Sequence, residues 1–196
     1  MLSPEYPIET ERLLLRPYTI ADHDDALSYN SIPELHRYLY WEAFTQETFG
    51  ARLETLVGRT ELKQADDVIT LAVVPRELGR AVGDVTLIWR SEEHRQAEIG
   101  FIFHPDHQGK GYATEASRVL LELAFDGLGA HRVYGRLDPR NTASAAVLKR
   151  LGMRLEAHLV ENEFVKGEWT SEAIYALLER EWRAASGSDK NFTSSS

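Results

Sequence analysis

Residues 104–116 read His104-Pro105-Asp106-His107-Gln108-Gly109-Lys110-Gly111-Tyr112-Ala113-Thr114-Glu115-Ala116. Before this stretch, Ala97, Ile99, Phe101 and Phe103 alternate with Glu98, Gly100 and Ile102, the period of a strand. After it, Ala113, Ala116, Leu120, Leu123 and Ala124 recur at helical spacing to about Phe125, with Gly127 and Gly129 beyond. The segment is therefore a strand-to-helix turn carrying two glycines. Gly109 and Gly111 let the chain curl so that several N–H groups point one way. The helix N-terminus adds about half a positive charge. Together they form a cradle for a phosphate or pyrophosphate. A Walker loop is excluded, because Gly111 rather than Ser or Thr follows Lys110. A dinucleotide fingerprint is a poor fit, because Thr114 holds the third glycine position and antiparallel strands precede the turn. An ordinary glycine turn remains the plain alternative.

Outward from the cradle, residues 68–74, 81–90 and 97–103 read as three successive strands with short links, which favours antiparallel pairing. Upstream, residues 12–16 form a short strand ended by Pro17. Three helices follow, over residues 20–30 with a cap near Thr19, 33–40 and 45–63. Downstream come a strand at 132–137, a helix at 141–151 stopped by Gly152, and strands at 153–158 and 169–178 around a polar loop at 166–168. The order is β–α–α–α–βββ–α–β–α–ββ, a mixed α/β (α+β) domain. Residues 1–185 read as one domain and 186–196 as a disordered tail, rich in Ser, Gly and Asp.

The chain has 196 residues and no cysteine, which excludes thiol nucleophiles and cysteine-built metal sites. His104 and His107 beside Asp106 lack a third histidine, so no metal is expected. With 22 Lys and Arg against 31 Asp and Glu the net charge is −9, and no basic block offsets it, so no nucleic-acid partner is expected. No apolar run approaches the ~20 residues of a membrane span. The polar, acidic start Met1-Leu2-Ser3-Pro4-Glu5 is unlike a signal peptide, and a cytoplasmic protein with no membrane partner is expected.

Gln108-x-x-Gly111-x-Ala113 resembles the acyl-CoA signature Q/R-x-x-G-x-G/A of the GCN5-related N-acetyltransferase (GNAT) family. Asn141-Thr142-Ala143-Ser144 followed by Leu148-Lys149-Arg150-Leu151-Gly152-Met153 resembles a stretch of its ribosomal-protein-acetyltransferase-like (RimJ/RimL-like) branch, as does the opening at residues 9–17. The resemblance covers about residues 8–182. It implies a mostly antiparallel sheet of six to seven strands flanked by helices, splayed between its fourth and fifth strands. It implies an N-acetyltransferase that moves the acetyl group of acetyl-CoA to a primary amine by direct attack in a ternary complex. The acceptor would be a small molecule or a peptide N-terminus. A longer acyl group and a non-catalytic acyl-CoA sensor stay open as alternatives, and the family also admits a homodimer.

The chemistry needs a neutral amine, an oxyanion donor and a stabilised leaving thiolate. By resemblance, Glu98 is the base and Ser144 the thiolate's proton donor. The cofactor falls to Phe101, Ile102, Phe103, Gln108, Gly109, Lys110, Gly111, Tyr112, Ala113, Thr114, Asn141, Ser144 and Lys149, with Arg150 as an alternative to Lys149. Asn141 also reads as a helix N-cap. An acidic, aromatic acceptor side is expected from Tyr38, Trp41, Glu98 and Glu168, with Tyr40, Phe44, Glu161 and Glu163 nearby.

Overall fold

The alternating apolar runs of the middle of the chain become the centre of one eight-stranded sheet in the computed structural model, which describes residues 1–189, the last four as backbone only. The strands are β1 (Ile8–Glu9), β2 (Leu13–Pro17), β3 (Val68–Pro75), β4 (Gly83–Ser91), β5 (Gln96–Phe103), β6 (Arg132–Leu137), β7 (Arg154–Val165) and β8 (Glu168–Leu178). Their spatial order is β1-β2-β3-β4-β5-β6-β8-β7. Only β5 and β6 run parallel. The expected six to seven strands are eight, because the two-residue β1 pairs with β2 at Ile8/Leu15 and Glu9/Leu14. Two residues are too short to show a period in the sequence.

The pleat sorts side chains to two faces. Leu71, Val85, Leu87, Ala97, Ile99, Val133 and Leu177 enter one core with α4 (Tyr112–Glu122) and α5 (Thr142–Arg150). Ala72 and Val74 enter a second core beneath α1 (His23–Asn30) and α3 (Gln46–Val57), around Tyr18, Tyr29, Phe49 and Leu53. The sheet is thus covered on both sides.

Three boundaries differ from the sequence reading. The helix expected over 33–40 is only α2 (Pro33–His36). The His36 carbonyl accepts from the Leu39 N–H at 3.0 Å, a tighter turn than the α-helix, and also from Lys166 Nζ at 2.6 Å. The helix expected to reach residue 63 ends at Val57, where Gly58 is the C-cap. Strand β7 continues to Val165 and meets β8 across Lys166 and Gly167, both at positive φ (52° and 83°), a tight hairpin turn. A last helix, α6 (Glu179–Asp189), was not anticipated. Its backbone enters the stretch read as a tail, and the rest of that stretch, 190–196, lies outside the described residues.

Candidate active site

Strands β5 and β6 pair only at Gln96/Arg132, Ala97/Val133 and Glu98/Tyr134. Beyond Glu98 they part, and the remainder of β6 pairs with β8 alone. This fork is the splay expected between the fourth and fifth strands, here β5 and β6 because β1 is counted. The pairing of β5 with β4 is regular from Gly83/Phe103 to Trp89/Ala97, and the single irregularity is at Arg90 of β4.

That regularity fixes which peptide groups face the fork. His104 donates its N–H to the Val82 carbonyl at 2.9 Å. Peptide groups alternate between the two edges of a strand. Those of Phe103 and Phe101 therefore turn to the fork, and that of Ile102 turns to β4. Gln108 confirms the direction, since its side-chain amide donates to the Phe103 carbonyl at 2.9 Å.

The cradle begins immediately after. Gly109 and Gly111 adopt φ of 75° and 84°, and Gly111 is the N-cap of α4. The left-handed region costs other residues roughly 1–2 kcal/mol. A Cβ on Gly111 would sit 3.2 Å from Arg12 Nη2. The first intrahelical bond runs from the Glu115 N–H to the Gly111 carbonyl. The N–H groups of Tyr112, Ala113 and Thr114 are thus the free donors of the helix start. Side chains brace the turn from three sides. Arg12 donates to the Lys110 carbonyl at 2.9 Å and pairs with Glu115 at 2.6 Å. Thr10 donates to Glu115 at 2.6 Å. Tyr112 donates to Glu77 at 2.8 Å. Burial pushes the Glu115 carboxyl up, but the bonds from Thr10 and Arg12 outweigh it and hold it below its ordinary value.

Fork and cradle open on one cleft of about 1190 Å³. Its walls include Phe101, Ile102, Phe103, Gln108, Gly109, Gly111, Tyr112, Ala113, Thr114, Asn141 and Ser144. Asn141 caps α5, its Oδ1 accepting from the Ser144 N–H at 3.0 Å. Lys110 contributes its backbone to the turn without lining the cleft, and Lys149 leans over the Tyr175 ring at 5.8 Å. Arg150, Arg118 and Arg12 line the cleft instead.

Glu98 lies behind the fork and not on the cleft wall. It is 9% exposed. Its two oxygens accept from Arg90 at 2.7 Å and Arg136 at 3.2 Å. Arg136 also donates to Glu172 at 3.1 Å, and Tyr40 donates to the same Glu172 oxygen at 2.8 Å. Glu98, in the last residue pair before the strands separate, reaches past its partner Tyr134 to Arg136 and so bridges β5 and β6 at the fork.

The acceptor-side residues gather around the segment after α2. Tyr38 lies under Arg140 at 5.6 Å, and Arg140 binds both Asp138 and Glu168, at 2.6 and 2.9 Å. Burial pushes Asp138 up, but its bonds from Arg140 hold it below the usual carboxylate range. Trp41 is 43% exposed and Tyr40 46%, so neither is a core residue. Phe44 packs edge-on to His36 and Phe49. Glu161 and Glu163 lie on β7, the outermost strand. The sequence reading missed Arg12 and Glu77 as braces and Glu34, Leu35 and Leu39 as cleft wall. Arg12 alone had a local signal, a cation heading the apolar strand Leu13–Pro17.

The stretch of chain that builds the fork and the cradle lies within a match to a family model. Residues 12–154 fit the family described as Acetyltransferase (GNAT) domain. The chain belongs to the GNAT family. An uncharacterized N-acetyltransferase of Bacillus subtilis, YnaD, is 32% identical over 89% of this chain and 98% of its own length. The crystal structure of a GNAT-family acetyltransferase from Bacillus anthracis superposes with a TM-score of 0.79 at 30% identity, covering 89% of this chain and 99% of that one. The spermidine N(1)-acetyltransferase of Escherichia coli is 27% identical over 54% of this chain and 57% of its own length. As a member of this family the chain is an acyl-CoA-dependent N-acetyltransferase.

Proposed function

We propose that this GNAT enzyme, of the RimJ/RimL-like branch, transfers the acetyl group of acetyl-CoA to a primary amine on a cationic acceptor, a small molecule or a peptide N-terminus. The observation that carries the reading is the opening of fork and cradle on a single cleft. The residues present suit a CoA-type ligand: two left-handed glycines, free first-turn N–H groups, and Arg12, Arg118 and Arg150 on the wall. When bound, acetyl-CoA supplies the activated thioester.

The chain's own groups do the rest. Amides from Gly109 to Thr114 hold phosphate charge, with the α4 dipole behind them. The fork-facing N–H groups of Phe101 and Phe103 are placed to donate to an oxygen that gains negative charge. Ser144, on the first turn of α5, would donate a hydrogen bond to the departing thiolate, which would take up the proton the amine nitrogen sheds on acylation. Glu98 has both oxygens committed to arginines, so its role is to set the geometry and field of the fork. The acceptor's ammonium, ordinary pKa roughly 10, loses its proton through water in the open cleft. Holding amine and carbonyl at ~3–3.5 Å supplies several kcal/mol.

The net charge of −9 and Glu34 on the cleft wall favour a cationic acceptor, while Asp138, Glu168 and Glu172 are already paired with Arg140 and Arg136. The spermidine-acetylating relative supports the same class. Thiol release from acetyl-CoA over a panel of polyamines, aminoglycosides and peptides tests the reading. Amine-dependent release is expected. CoA binding without release on any amine would favour a non-catalytic sensor, and release only with longer acyl-CoAs would change the donor.

A further inference from the structure

His107 ends the short turn Pro105–His107, one residue before the cradle. It is 8% exposed and lines the cleft. Its Nε2 is 3.5 Å from Arg80 Nη2. A guanidinium can only donate, so this contact uses the Nε2 lone pair and leaves the ring proton on Nδ1. Nδ1 is buried and has no hydrogen-bond partner. A buried donor without an acceptor is unfavourable. The orphan atom belongs to a residue that walls an anion site.

The charges around the ring are mostly cationic. Arg80 comes from the β3–β4 connection, Lys110 from the loop beyond, and His104 from the start of the same turn, its ring centroid 5.7 Å away. Asp106 is the one acid acting on it. Glu77, also in the β3–β4 connection, is taken by Tyr112. Burial first, then Lys110, Arg80 and His104, push the imidazole below its ordinary value. A phosphate brought to Gly109–Ala113 reverses that balance. It supplies an acceptor for an imidazole N–H, draws the guanidinium and ammonium to itself, and favours the charged ring.

We propose that His107 is a proton-linked phosphate ligand, neutral in the free enzyme, whose protonation is favoured as the pyrophosphate of CoA seats on the cradle. The inference rests on the acyl-CoA reading and adds to it a side chain and a pH dependence.

Calorimetric titration of CoA at pH 7 in two buffers of different ionisation enthalpy counts the protons taken up. Wild type should take up about half a proton more than His107→Phe. Wild-type affinity should fall severalfold more steeply between pH 6 and 8 than that of His107→Phe or His107→Gln. Thermal unfolding of both variants checks their fold, and the isosteric His107→Gln keeps the test open if the Phe variant is unstable. Repeating the titrations with 3′-dephospho-CoA separates the two phosphate sources. A His107-dependent uptake that persists supports the pyrophosphate, and one that vanishes overturns that assignment. Equal uptake and equal affinity in wild type and folded variants overturn the role of His107 alone. Absence of CoA binding by every protein would overturn the acyl-CoA reading and this inference with it.

Discussion

The two sides of the β5–β6 fork are built from different materials. The cradle side is made of contiguous backbone: seven consecutive residues, Gln108 to Thr114, with two left-handed glycines and a helix start. The opposite side is a chain of charged and hydroxyl side chains from far-apart segments, running Asp66–Arg90–Glu98–Arg136–Glu172–Tyr40. Below that face, Asp84 accepts from the hydroxyls of Tyr18 (2.9 Å) and Tyr29 (3.4 Å), which also bond to each other. A backbone site presents donors whatever the neighbouring side chains are. A side-chain network holds only while every member is present, so it sets shape and specificity and tolerates substitution less well.

Substitutions on each side should separate these roles. The largest effect is expected at the cleft. Ser144→Ala should lower kcat by about 100-fold with CoA affinity unchanged, measured by steady-state kinetics and calorimetry. A fall in affinity with kcat intact would make Ser144 a binding group instead. Next is Glu98→Gln, which leaves Arg90 and Arg136 facing a neutral amide. It should lower kcat by less than about tenfold and leave the shape of the pH–rate profile in place. Loss of the rising limb of that profile would make Glu98 the base.

A third effect lies in stability. Burial pushes Asp84 up to about 6, against the downward pull of the Tyr18 and Tyr29 bonds and of Arg52 and Arg59. The folded protein therefore holds this proton more tightly than the unfolded chain. Its stabilisation is full below about pH 4 and is lost as pH rises through about 6, a change of about 3 kcal/mol. Asp84→Asn should flatten the denaturant-unfolding curve against pH in that window, and an unchanged slope would assign the dependence elsewhere. The smallest effect is on α5. Lys149→Ala should leave CoA affinity as it is, while Arg150→Ala weakens it severalfold, because only Arg150 lines the cleft.

The same contrast explains what the sequence could reveal. Gly109, Gly111 and the Asn141 cap act through their own backbone or within three residues, so local pattern exposes them. The strands from Val68 to Phe103 are bounded by turns and alternate, and their antiparallel pairing follows from short links. Glu98 reads as a free carboxylate in sequence because its partners Arg90 and Arg136 lie on other strands, 8 and 38 positions away. Glu172 and Tyr40 are separated by 132 positions and meet only when β8 joins the sheet. The length of α2 was equally hidden, since its last carbonyl is shared between the Leu39 N–H and Lys166 on the far hairpin.

Calorimetric titration of CoA into wild type and Gly111→Val tests the central claim most directly. Valine holds φ near 84° only at a cost of about 1–2 kcal/mol, with its Cβ against Arg12, so the turn relaxes out of the cradle geometry and CoA affinity should fall tenfold or more. Wild type is expected to bind and the variant to lose binding while unfolding at a similar temperature. Equal CoA affinity in the two folded proteins would contradict the cradle.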